Sequence, residues 1–149
     1  MHPAQMGIVL CAAFFAVCFL QSGIDKVSDR KGNLDWLTGH FANSPLKGLV
    51  PLLLLTITLL EIGGGVFCAI GIVGHLAFSW STQVLAYAFG LCGLTLLCLF
   101  AGQRIAKDYV GAATLVGYFA VAILGLVLCQ SVPAEGLFID PNTGEAVRS

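Results

Sequence analysis

The run Pro51 to Val73, PLLLLTITLLEIGGGVFCAIGIV, is almost wholly apolar and carries one carboxylate, Glu61, near its middle. At about 1.5 Å per residue, a helix of this length crosses the roughly 30 Å hydrocarbon core of a bilayer. A charged side chain near mid-membrane costs about 2.5 kcal/mol or more, so Glu61 must be protonated, paired or turned toward a polar cavity between helices. The glycines that follow it, Gly63, Gly64 and Gly65, strip side chains from one helical turn and are expected to let a neighbouring helix approach the backbone.

Other stretches share this character. Of the 149 residues, 58% are hydrophobic and only 10% charged, and the mean hydropathy is +0.92. These values place the chain among integral membrane proteins. A net charge of -1, with 7 Lys and Arg that form no basic stripe, argues against a nucleic-acid partner. The opening MHPAQMGIVLCAAFFAVCFLQSG has the apolar core of a secretory signal but lacks a basic n-region and a small-x-small cleavage site. It reads as a retained first span.

Four spans are expected: about Met6 to Gly23, Leu49 to Gly74, Thr82 to Gln103, and Val110 to Val132. Residues 1–132 then form a single four-span membrane domain, an all-α bundle, and 133–149 form a polar C-terminal tail with turn residues. The first connection is too polar to cross a membrane, yet Leu34, Trp36, Leu37 and Phe41 give it an apolar side. A short interfacial helix is expected there, capped by Asn33 or Asp35, ended by Ser44-Pro45, and with Trp36 at headgroup level. His75 falls in the turn between the second and third spans and, like His40, reads as a surface residue. Lys26, Arg30, Lys31 and Lys47 lie in the first connection, Arg104 and Lys107 in the third, and only Arg148 on the other side. Positive residues mark the cytoplasmic side. Both termini are therefore expected on the non-cytoplasmic side, in a bacterial inner membrane if the source is bacterial.

The six cysteines all lie inside apolar runs, and none forms a CxxC pair. Small apolar packing residues are the simplest reading, with no metal site implied. Cys11 and Cys129 fall at the same membrane side, which makes a pairing between them conceivable.

Two constellations can carry chemistry. Gln21, Asp25 and Lys26 at the end of the first span can meet Gln103, Arg104, Lys107 and Asp108 at the end of the third. Such a mixed-charge cluster either pins helix ends at the interface or forms a polar mouth for an amphipathic ligand such as a quinone. Glu61 needs a partner, and Gln21 is the expected one, because Glu61 sits about 15 Å below Pro51 by helical rise, too deep for Lys26 to reach comfortably. No nucleotide loop, zinc motif, haem attachment site or serine elbow is present. That argues against a self-sufficient hydrolase or an ATP-driven pump.

The ordered set FLQSGIDK, LEIGGG and AGQRIAKDYVGAA, spread from Leu10 to Leu128, resembles the DoxX family of small four-helix membrane proteins. The family's small residue, Gly and Lys at the end of the first helix fall on Ser22, Gly23 and Lys26. Its second-helix Glu followed by glycines falls on Glu61 and Gly63 to Gly65. The resemblance implies a membrane subunit, linked in name to a thiosulfate:quinone oxidoreductase, that works with separate soluble proteins. The expected function is a membrane subunit with no built-in cofactor, binding a quinone or similar lipid-soluble redox partner near Glu61, Lys26 and Gln21. It would act with a soluble oxidoreductase or as a homo-oligomer in the lipid bilayer. A non-catalytic assembly subunit and a small proton-linked transporter are the alternatives.

Overall fold

The structure is a computed structural model that describes residues 3–132 and the backbone of 138–139 and 146–147. Five helices follow one another in the chain: α1 (Pro3–Ser28), α2 (Arg30–His40), α3 (Val50–Phe78), α4 (Thr82–Ile105) and α5 (Tyr109–Ser131). Beyond them, β1 (Phe138–Ile139) pairs antiparallel with β2 (Ala146–Val147). The rest of the polar tail expected over 133–149, Arg148 included, lies outside the described residues. Four of the helices, α1, α3, α4 and α5, are long and apolar enough to cross a membrane. In such helices every backbone polar group is satisfied within the segment, which is what hydrocarbon demands.

The helix ends depart from the expected boundaries where side chains supply caps. α1 continues through Asp25 and Lys26 to Ser28. Asp29, not Asn33 or Asp35, begins α2, its side chain accepting from Gly32 N at 3.0 Å. Asn33 instead donates through Nδ2 to the carbonyl of Asp29. α3 opens with Pro51 in its first turn, where a missing N–H is harmless. It runs four residues past Gly74, so His75 is helical and the turn is confined to Ser79–Ser81. Ser79 adopts a left-handed conformation (φ 52°), and Trp80 N donates to Gly74 O at 3.0 Å, closing the last turn. Asp108 caps α5 by accepting from Gly111 N at 2.8 Å.

The four long helices form a closed ring in the order α1, α3, α4, α5, with neighbours antiparallel and little contact across the diagonals. Hydrophobic burial does not drive helices together in lipid, so association rests on close packing. The α1–α3 seam is the tightest. A Cβ on Gly23 would stand 2.5 Å from Ile62 Cγ1, and one on Gly65 would stand 3.0 Å from the backbone N of Leu20. Gly64 faces Phe19 and Cys92, but Gly63 has nothing within 4 Å and points away from the bundle. Only two of the three consecutive glycines therefore serve helix contact, because a turn of helix cannot present all its positions to one neighbour.

The buried core is concentrated in one half of the bundle, along the first half of α1, the second half of α3, the first half of α4 and the second half of α5. Phe15 sits at its centre, with ring centroids 5.3 Å from Phe19 and 6.3 Å from Phe89. Ile8, Ala12, Leu85, Ala88 and Ala122 complete it. All six cysteines are free, so Cys11 and Cys129 do not pair. The closest recorded thiol pair is Cys68 with Cys92, at 3.7 Å across α3 and α4. At the opposite end of the bundle α2 lies against α1 and α3. Phe41, just after α2, is buried with its ring tip beside Gly102 of α4.

Candidate functional site

Glu61 is 3% exposed and sits on α3 where that helix faces the last turns of α1. Lys26 Nζ lies 2.8 Å from Glu61 Oε2. Ser22 Oγ donates to Glu61 Oε1 at 3.1 Å, and Lys26 Nζ in turn donates to Ser22 Oγ at 2.6 Å. Ser22 and Lys26 are four residues apart and share one face of α1, so both address the same carboxylate. The ammonium sits off the hydrogen-bonding angle to Oε2, which is left without a directed hydrogen bond. The pair therefore balances charge inside an apolar bundle, with Oε2 sealed from solvent beneath the ammonium. Removing one partner of such a pair is strongly destabilising, because the other charge stays buried.

This partner differs from the one the sequence suggests. Gln21 is exposed and makes no hydrogen bond to Glu61. Reasoning from depth below Pro51 placed Lys26 out of reach, but the pairing depends on the register of α1 against α3. Gly23 beside Ile62 and Leu20 beside Gly65 fix that register, and the extra helical turn of α1 carries Lys26 level with Glu61. Ser22 is the residue that sequence reasoning missed as a partner. Its i,i+4 relation to Lys26 was the available signal.

Beside this cluster is a cavity of about 440 Å³ lined by Cys18, Phe19, Gln21, Ser22, Asp25, Glu61, Leu96, Leu99, Thr114, Leu115 and Tyr118. It lies in the half of the bundle opposite the aromatic core, and all four long helices contribute to its wall. α5 supplies Thr114 and Tyr118, hydroxyls four residues apart that sequence reasoning had not singled out. Gln21, Ser22, Asp25 and Glu61 gather on the α1 and α3 side, and leucines, Cys18 and the Phe19 ring fill the wall between them and the α5 hydroxyls. A mostly apolar cavity with a few convergent polar groups is the usual form of a small-molecule site.

The other expected site residues lie apart. Glu61, Lys26, Gln21 and Asp25 come together at or beside the cavity, whereas Gln103 and Arg104 in the last turn of α4 and Asp108 at the start of α5 do not line it. Arg104 stacks over the Tyr109 ring, 4.6 Å from its centroid. Asp108 serves as the α5 cap and approaches His40 Nε2 at 4.0 Å. Gln103 Oε1 is buried without a hydrogen-bond partner, against Gly111. His40 is not a surface residue: its ring stacks on Trp36 with centroids 4.8 Å apart, and its side chain is 16% exposed. The mixed-charge cluster read from the sequence is thus two clusters, one at the cavity and one at the α4–α5 turn.

The chain matches no family model, no curated protein and no solved structure. The functional reading therefore rests on the residues themselves.

Proposed function

We propose that this protein is an integral membrane subunit of the DoxX type that binds a quinone-class, lipid-soluble amphiphile in the cavity beside Glu61 and acts with a separate soluble oxidoreductase. The observation that supports it is the adjacency of a buried Ser22–Lys26–Glu61 cluster to a cavity of about 440 Å³ with leucine and aromatic walls. A ring with a hydrophobic tail satisfies both parts of such a site, its oxygens at the polar side and its tail among the leucines. The protein would sit in a bacterial inner membrane with both termini on the non-cytoplasmic side, following the basic residues of the first and third connections. α2 would then lie along the cytoplasmic interface, where Trp36, 61% exposed, meets the headgroups.

A second reading, an assembly subunit, draws on Gly63. Its bare backbone on the outer face of α3 is the kind of surface on which a further transmembrane helix packs closely.

The two readings separate on purification from native membranes in mild detergent, with mass spectrometry of co-purifying proteins and extracted lipids. Ligand binding predicts a quinone in near-stoichiometric amount that is lost from a Thr114→Trp variant, in which the indole fills the cavity. A protein that carries no quinone and arrives within a larger complex supports the assembly reading instead.

A further inference from the structure

The wall of the cavity is not equally exposed on all sides. Its residues from α3 and α4 are closed in, with Glu61 and Leu96 buried and Leu99 half-buried. The exposed lining residues are Gln21 and Asp25 on α1 and Thr114 and Tyr118 on α5. Of the four seams in the helix ring, α1–α5 is also the loosest. That seam is closed in the half that holds the aromatic core, where a Cβ on Gly7 would stand 2.9 Å from Leu128 Cδ1. It is closed again at Phe14, whose ring centroid lies 5.5 Å from that of Tyr118. From Tyr118 toward the α2 end, the gap between the two helices is the mouth of the cavity. α2 packs against α1 and α3, on another side of the bundle.

The mouth opens into lipid rather than water. Val17 and Ile24 on α1, and Val110 and Val116 on α5, are exposed apolar residues on the stretches of helix that flank it, and a spanning helix turns such residues to hydrocarbon. Thr114 and Tyr118 stand five and nine residues after Tyr109, the first residue of α5. At about 1.5 Å per residue the mouth therefore lies about 7–14 Å along that helix, in the half of the roughly 30 Å hydrocarbon core nearer α2. We infer, resting on the ligand class proposed above, that the cavity is loaded sideways from the bilayer leaflet on the α2 side, and that the bound amphiphile keeps its tail in the gap between α1 and α5. The head rests with an oxygen near Gln21, whose amide can donate to it. The tail runs out past Leu115 and Tyr118 among the acyl chains.

The test uses the purified full-length protein in lipid nanodiscs, labelled by light with a decylquinone that carries a diazirine midway along its tail, with and without excess unmodified decylquinone. Mass spectrometry of the peptides locates the label. The expected result is that the label lost on competition lies on the outward side of the mouth, on α1 from Val17 to Asp25 and on α5 from Val110 to Tyr118. Competed label on the outer faces of α3 or α4, on α2, or confined to the inner wall at Leu96 and Leu99 overturns the side entrance while the ligand class stands. If no label responds to the competitor, decylquinone does not bind, and the proposed function fails together with this inference.

Discussion

The two halves of the bundle are made of the same four helices but packed in opposite ways. In the half that holds Phe15 and Phe89, aromatic rings meet edge to face and alanines and glycines fill what remains, as where Gly125 receives the Phe89 ring. In the half that holds Glu61, the same helices enclose a cavity and an ion pair. Close packing is the source of helix association in lipid, and the first half supplies it among all four helices, whereas around Glu61 it is confined to the α1–α3 seam. Away from that seam, toward α4 and α5, the second half gives way to polar groups and empty space. The Phe19 ring stands at the boundary, touching the core through Phe15 and lining the cavity on its other side.

The largest effect is expected from the open half, where charge is concentrated. Lys26→Met leaves Glu61 buried without its counter-charge and should lower stability by about 3–5 kcal/mol, read as a drop in thermal midpoint in detergent. The double variant Lys26→Met, Glu61→Leu should recover most of that loss. A double variant no more stable than the single one would mean that the pair contributes more than charge balance. Next comes the packed half: Gly125→Leu drives a side chain into the Phe89 ring, which would lie 2.7 Å from the first added carbon. A loss of about 1–3 kcal/mol is expected, and an unchanged midpoint would show that this half is looser than its geometry. Smaller still is the stability effect of Thr114→Trp, within about 1 kcal/mol because the cavity can receive the ring. Its signature is loss of bound amphiphile from a folded protein. The least effect belongs to Gly63→Ala, within about 0.5 kcal/mol in stability for the isolated protein, since an added methyl meets nothing. Loss of a co-purifying partner in that same variant would mark the outer face of α3 as a protein contact.

Much of this comparison was legible in the sequence, and unevenly so. Four apolar runs gave the long helices, since length and hydropathy depend on composition alone. Glu61 stood out because a carboxylate in such a run needs a reason. Its partner was not legible, because Lys26 meets Glu61 through a register set by Gly23 and Gly65, and the match of one helix to another is a property of packed surfaces. For the same reason the sequence merged the residues near Lys26 with those near Arg104, although they share an end of the bundle and belong to separate clusters. Ser22, Gly23, Lys26 and Glu61 come together at the α1–α3 seam, a grouping that spacing along α1 alone could only suggest. The cavity's α5 wall escaped notice because Thr114 and Tyr118 look like isolated hydroxyls until α5 is placed beside α1.

The contact between Lys26 and Glu61 also bears on how the first two long helices come to be joined. Ser22 and Glu61 are 39 residues apart, so the lysine and the carboxylate that neutralises it come from different helices and meet only when those helices pack. Neither helix is fully at ease in lipid alone. The ion pair thus fastens the hairpin of the first and second spanning helices, whose ends α2 joins, and cancels two charges that neither helix could neutralise alone.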